Sequence, residues 1–235
     1  MELQGGKRVK EHYEIQGVRK FIGTRMRESL RDYPQGSGSV YLCTEQFYAL
    51  KDELRAQNEN VTITSMLTKA TAEALKKHPL LNSALVDQKE FFIYDSVNIG
   101  VGIGLEEGIM TVVVKEAQDK DIFRISDELR GMIDRLKAKK LQMTDMMGST
   151  FTLSNMGMFC IEQVTPFLNP PETGILAVGA TKKQAIVDDA DRIVIAPMTC
   201  FSLTINHAAV DGLHSGLFMK TLKDVVENPK LHMGL

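Results

Sequence analysis

Cysteine is scarce in this chain: Cys43, Cys160 and Cys200 are widely separated, and none forms a C-x-x-C pair. That spacing argues against a zinc knuckle and a disulfide framework, and points to idle or buried thiols in a reducing compartment. Charge of one sign is lacking too. The 28 Lys+Arg against 30 Asp+Glu leave a net charge of −2, so there is no electrostatic footprint for nucleic acid. The basic run Lys137, Lys139, Lys140 reads as a solvated helix face. No apolar run approaches the length of a membrane span, and the opening "MELQGGKRVKEHYE" lacks the apolar core of a signal peptide. The expectation is a cytoplasmic protein that binds neither nucleic acid nor membrane. Phosphate-loop signatures are missing as well: G-x-x-x-x-G-K-[ST] does not occur, and Gly100, Gly102, Gly104 and Gly108 do not fit G-x-G-x-x-G. Those alternate glycines read instead as a strand approached closely by another backbone.

What is present is an ordinary core-forming composition, 43% hydrophobic and 25% charged over 235 residues, with no repeat or linker to divide it. A polar arm over residues 1–14 and a single domain over 15–235 are expected. Val18, Ile22, Met26 and Leu30 fall four apart, a helical stripe stopped at Pro34. "SVYLCTEQ" alternates as a strand with Val40 and Leu42 on one face. A helix follows with Phe47, Leu50 and Leu54 inward. A third helix, capped by Thr64, stops at His78-Pro79. The middle third turns β-branched, with turns at Asp95-Ser96 and Glu107-Gly108. A long helix covers about 121–140, with Ile122, Ile125, Leu129, Met132, Ile133 and Leu136 buried. Five strand-like pieces come next: "STFTLSN", "GILAVGAT", "KQAIVDD", "DRIVIAP" and "TCFSLTIN". A last helix runs from about Asp211 to Glu227. This mixture without strict βαβ alternation predicts an α/β or α+β sandwich containing a mixed sheet.

The segment "INHAAVDGLHSG" (205–216) carries the candidate chemistry. Each of its polar residues has a structural explanation: His207 as a satisfied strand end, Asp211 as a helix cap, His214 as an exposed helical residue. His207, Asp211 and His214 could converge on a metal only if the whole segment were helical. Asp211-Gly212 starts the helix after His207, so no metal is expected. A general base is the other reading. Such a histidine needs a fixed tautomer, a thiol or hydroxyl to deprotonate, and a donor for the oxyanion that forms on the attacked carbonyl. Ser154, at the end of "FTLSN", offers such a hydroxyl. It lacks the G-x-S-x-G elbow of a serine hydrolase. The residues by themselves leave both readings open.

"GSTFTLSNMGMFCIEQVTPFLNPPETGILAVGA" (148–180) resembles the catalytic domain of the acyltransferase components of 2-oxo acid dehydrogenase complexes, with its T-x-S-N-x-G segment and Asn-Pro-Pro turn. "INHAAVDGLHSG" is similar to that family's D-H-R-x-x-D-G and to the H-H-x-x-x-D-G of chloramphenicol acetyltransferases. "GVRKFIGTRMRESL", "HPLLNSAL" and "EEGIMTVVV" extend the resemblance over about 15–235. It implies a two-layer α/β sandwich with a mixed sheet, chloramphenicol acetyltransferase-like, forming a homotrimer with active sites at subunit interfaces. In parts of the family such trimers build larger shells. The substrates it implies are coenzyme A or acyl-CoA and a lipoyl group supplied in trans by a lipoyl-bearing protein, with no metal. By position, His207 is the general base and Ser154, from the neighbouring subunit, the oxyanion donor. Asp211 is the structural aspartate, partnered by Arg19 or, as second choice, Arg25; His214 has no role. The chain departs from the family at Asn206 and Ala208, where Asp and Arg are usual, and at Val112, where proline is. The usual preceding lipoyl and subunit-binding domains are not in the sequence. A dissected core, an acceptor on another polypeptide and a free-standing transferase are the three ways to read that. Alternative functions are an O-acetyltransferase acting on a small hydroxylated molecule and a catalytically inactive assembly core.

Overall fold

Alternating apolar residues give a strand such as "FTLSN" one dry face, whereas "GILAV" is apolar throughout, and pairing such strands into one sheet brings these residues to a common core. A computed structural model describes residues 3–105, 108–188 and 190–234. Glu107, one of the expected turn residues, and Leu235 lie outside them, as does the side chain of Val18. The first elements in chain order are β1 (Leu3–Gln4), β2 (Lys7–Arg8), α1 (Gly17–Asp32), β3 (Gln35–Cys43), α2 (Glu45–Arg55) and α3 (Ile63–Lys77). Then come β4 (Ser83–Val86), β5 (Glu90–Ile93), β6 (Ile99–Leu105), β7 (Gly108–Val114) and α4 (Ile122–Lys137). The chain finishes with β8 (Phe151–Asn155), β9 (Gly174–Val178), β10 (Lys182–Val187), β11 (Ile193–Asn206), α5 (Gly212–Glu227) and α6 (Pro229–His232).

Among the described residues the main sheet has seven strands, in the order β10-β11-β9-β8-β6-β7, with β3 also pairing β11. The β6–β8 and β8–β9 pairs are parallel and the others antiparallel, so the sheet is mixed as expected. Phe151, Leu153, Leu176, Phe201, Leu203 and Ile205 turn from it toward α2, α3, α4 and α5, forming the core between two layers. Phe151, Phe201 and Phe218 are fully buried there, each worth about 1.5–3 kcal/mol relative to exposure. The opposite face of the sheet carries small hydroxyls. Ser37 bonds Thr204 at 2.8 Å and Ser39 bonds Ser202 at 2.9 Å across the β3–β11 pair.

Several expectations change in physical detail. Thr62, not Thr64, caps α3: its hydroxyl accepts from Ser65 N at 3.1 Å while Ser65 Oγ accepts from Thr62 N at 2.9 Å. Thr64 is thereby free to bond elsewhere. "DRIVIAP" and "TCFSLTIN" are one strand, β11. Pro197 does not break it, because the backbone passes there from β10 to β3, and its carbonyl accepts from Thr44 N at 2.9 Å. Side chains rather than backbone crowd Gly100, where a Cβ would lie 3.0 Å from Thr111 Cγ2 and 3.1 Å from Ser149 Cβ; no atom lies within 4 Å of one at Gly104. Helix α4 buries its stripe except for a half-exposed Ile133. On α1, however, Ile22 and Met26 are only half-buried and Leu30 is 56% exposed, so this chain does not cover that stripe.

Candidate active site

The turn after β11 holds His207. Its backbone N donates to Pro34 O at 2.7 Å, beside the start of β3. Asn206 is fully buried and organises the turn: its Oδ1 accepts from Ala208 N at 3.1 Å, an Asx turn, and its carbonyl accepts from Ala209 and Val210 N at 3.0 and 2.9 Å. Val210, 2% exposed, pins the far side of the turn into the core. His207 itself stays exposed, and its ring lies over Gly36, where a Cβ would stand 3.0 Å from Cδ2. The result is a fixed backbone presenting an accessible imidazole.

Asp211 caps α5. It accepts from His214 N at 3.1 Å and from His214 Nδ1 at 2.8 Å, and those bonds, the backbone one foremost, hold its carboxyl below the usual range. His214, read from the sequence as having no role, is therefore a partner of this aspartate. Of the two arginines considered for Asp211, Arg25 donates to the Pro170 carbonyl and lies 3.7 Å from Glu28; Arg19 is on the exposed side of α1.

Ser154 sits half-buried near the end of β8. Sheet register puts Ser154, Ala177 and Ser202 in one row across three strands. His207 is five residues beyond Ser202, roughly 16 Å along β11 at ~3.3 Å per residue, with two strand spacings to add. Within one chain the two residues do not meet. Asn155 fixes the strand end: its Nδ2 donates to Thr64 Oγ1 at 3.0 Å, and its Oδ1 accepts from Gly157 N at 2.9 Å.

Two cavities adjoin these residues. One, of about 290 Å³, opens beside Asn155 between Tyr48 and Met158. Tyr48, Thr199 and Thr44 line it, and their hydroxyls are linked in a chain that runs from Tyr48 through Thr181, outside the lining, to Thr199 and Thr44, at 2.8, 2.7 and 3.0 Å. The other, of about 390 Å³, lies between β3 and α5 with His207 in its wall. Among the described residues no group of three or more His, Cys, Asp or Glu could hold a metal ion, and no helix is long and apolar enough to cross a membrane.

Sequence reasoning passed over Glu172, a carboxylic acid only 2% exposed. It accepts from Ser149 Oγ, from Thr152 Oγ1 at 2.6 Å and from Asn169 Nδ2 at 3.1 Å. Burial dominates those bonds and pushes its pKa up to about 7. It also passed over Gly36 and Gly38. The signal was present, two glycines alternating in "YPQGSGSVYLC", but the expected strand began only after them.

Residues 7–234 match the family described as 2-oxoacid dehydrogenases acyltransferase (catalytic domain). Component 5 of the chloroplastic pyruvate dehydrogenase complex of Arabidopsis thaliana, a dihydrolipoyllysine-residue acetyltransferase, is 34% identical over 89% of this chain and 44% of its own length. The chain spans about half the length of the curated relatives it matches. A probable dihydrolipoamide acetyltransferase from Listeria monocytogenes superposes with a TM-score of 0.87 at 30% identity, over 93% of this chain and 94% of its own. The Azotobacter vinelandii dihydrolipoamide acetyltransferase, in which the roles of a serine, a histidine and an asparagine in the catalytic mechanism were investigated, gives 0.88 at 24% identity, over 96% and 95%. Chloramphenicol acetyltransferase shares the fold at 0.54 and 16% identity, over 86% and 94%.

Proposed function

The chain belongs to the catalytic-domain family of 2-oxoacid dehydrogenase acyltransferases, and from that premise we propose that it moves an acyl group between coenzyme A and the thiol of dihydrolipoamide carried on a separate lipoyl-bearing protein or domain. One observation carries the reading: an accessible imidazole, His207, on a turn pinned by Pro34 and Asn206 at the mouth of a cavity. His207 takes the proton of the attacking thiol. The thiolate forms a new C–S bond at the thioester carbonyl, and the tetrahedral oxyanion accepts a hydrogen bond from Ser154. Collapse breaks the old C–S bond, and His207 returns its proton to the departing thiolate. One thioester and one thiol enter, and one of each leaves, with no change of oxidation state.

Because Ser154 and His207 lie far apart in one chain, the complete site joins Ser154 of one copy to His207 of another, in a homotrimer that is the unit of any larger shell. The uncovered stripe on α1 supports such association. A histidine and a serine, the two residue types chosen here, are among those named in the mechanism of the Azotobacter protein. Asp211 braces the turn through His214 in this reading, and Arg19 stands with it as a supporting cation. The region 15–235 is the catalytic domain and 1–14 an arm preceding it.

The test is acyl transfer from acetyl-CoA to dihydrolipoamide by the purified chain, beside H207A. The wild-type chain transfers the acyl group and H207A does not. Full activity in H207A removes the base from the scheme.

A further inference from the structure

The geometry points to an acyl-chain pocket beside His207, built for acyl groups larger than acetyl. The inference rests on the acyltransferase reading above and specifies its substrate. The cavity of about 390 Å³ has the size of a small-molecule site, far more than the methyl of an acetyl group occupies. It exists because side chains are missing on both sides of a strand–helix contact. Gly36 and Gly38 form its floor on β3, where register sets them against Ile205 and Leu203. Gly212 and Gly216 form its roof on α5. A Cβ built at Gly38, Gly212 or Gly216 would meet no atom within 4 Å, so the space is open.

Glycine weakens a strand interior and a helix interior alike, and here Gly36 and Gly38 within β3 and Gly216 within α5 bring both kinds of cost to one void. Places where local propensity is sacrificed are where function is expected. The walls are mostly apolar: Leu203 and Ile205 on one side, Val40 and Met219 at the far end. The Ser37 and Ser39 hydroxyls turn away to bond Thr204 and Ser202 on the opposite face of the sheet, and Ser215, which also lines the space, donates its hydroxyl to Gly212 O at 3.0 Å. From Gly36, under the imidazole, to Val40 the floor runs roughly 13 Å at ~3.3 Å per residue. Allowing ~2 Å of van der Waals radius at each end leaves roughly 9 Å, which at ~1.2 Å per bond admits a saturated chain of up to about eight carbons, straight or branched. An acyl group whose carbonyl stands at His207 would lay its chain along the glycine floor.

The experiment measures kcat/KM for acetyl-, butyryl-, hexanoyl- and octanoyl-CoA with dihydrolipoamide, for the wild-type chain, G38V and M219A. Each buried methylene should raise kcat/KM by roughly threefold to fourfold, so hexanoyl exceeds acetyl in the wild type. Valine at position 38 projects into the void and should cut the hexanoyl-to-acetyl ratio at least tenfold. M219A lengthens the void and should move the optimum toward octanoyl. The two variants shift the ratio in opposite directions, which a general loss of folding does not do.

A wild-type profile that falls steadily from acetyl overturns the pocket. So does a G38V defect that appears only as a raised KM for dihydrolipoamide at every chain length, because the cavity then holds the acceptor. No transfer from any acyl-CoA overturns the acyltransferase reading instead, and direct binding of hexanoyl-CoA against acetyl-CoA, with G38V as control, still decides whether the pocket takes the longer chain.

Discussion

At the scale of single residues, the proposed mechanism depends on two side chains, a hydroxyl and an imidazole, held by very different means. Ser154 is fixed by its strand, and the contribution proposed for it is a single hydrogen bond that strengthens as charge develops on the oxyanion. S154A should lower kcat by roughly 10²–10³ with little change in KM, the usual cost of losing one oxyanion donor; unchanged turnover in steady-state kinetics takes Ser154 out of the site. His207 is fixed by its neighbours. G36A adds a Cβ 3.0 Å from the imidazole Cδ2, so the ring must move while the strand and its register stay. The expected result is a fall in kcat with an almost unaltered melting temperature. A normal kcat would mean that the ring does not need the position it takes over Gly36. Asn206 supports the same turn without adding charge beside the base, so the departure from the family's aspartate leaves the Asx bond to Ala208 in place.

At the scale of elements, the Asn-Pro-Pro-Glu turn before β9 buries a carboxyl that the fold does not fully compensate. Glu172 receives bonds from Ser149, Thr152 and Asn169, and Arg25 draws its pKa down, yet burial outweighs them and the pKa rises from 4.5 to about 7. Between pH 4.5 and 7 the unfolded chain releases a proton that the folded chain keeps. Stability therefore falls as pH rises through that window and levels off above about 7, a penalty on the order of 3 kcal/mol. E172Q removes the titration while keeping an oxygen for Ser149 and Asn169. It should melt roughly 5–10 °C above the wild type at pH 8 and lose that advantage toward pH 5. Parallel melting curves from pH 5 to 8 would show that the carboxyl is not desolvated as its surroundings imply. Elements of this kind were only partly legible in the sequence. The stripe of α4, the alternation in β8, the short apolar run of β9 and the Asp211 start of α5 follow local rules and were readable. Glu172 was not, since only the tertiary meeting of β8 with the turn buries it. Nor was the start of β3 at Gln35, which pairing with β11 decides over the poor strand propensity of Gly36 and Gly38.

At the scale of the whole molecule, the separation between Ser154 and His207 makes the assembly part of the proposed chemistry. Motif order along the chain suggested that the two act together, but their distance is a property of sheet register and could not be read from spacing. A site shared across a cyclic, head-to-tail interface has a consequence that a site within one chain lacks. S154A keeps an intact His207, and H207A keeps an intact Ser154. Where the two meet in the right order they rebuild one complete site, and random co-assembly in equal amounts restores about a quarter of the wild-type sites. Co-expression with two different tags, followed by sequential purification of the mixed oligomer, isolates the species to assay. Activity well above that of either parent, with no recovery on mixing the separately assembled parents, is the expected outcome. A co-assembled oligomer no more active than S154A alone would confine both residues to a single chain and require a rearrangement of the sheet to bring them together. The long backbone ladders of β11 with β3, β9 and β10 make that alternative costly, because closing the gap would shift the register by several residues and expose Phe201, Leu203 and Ile205.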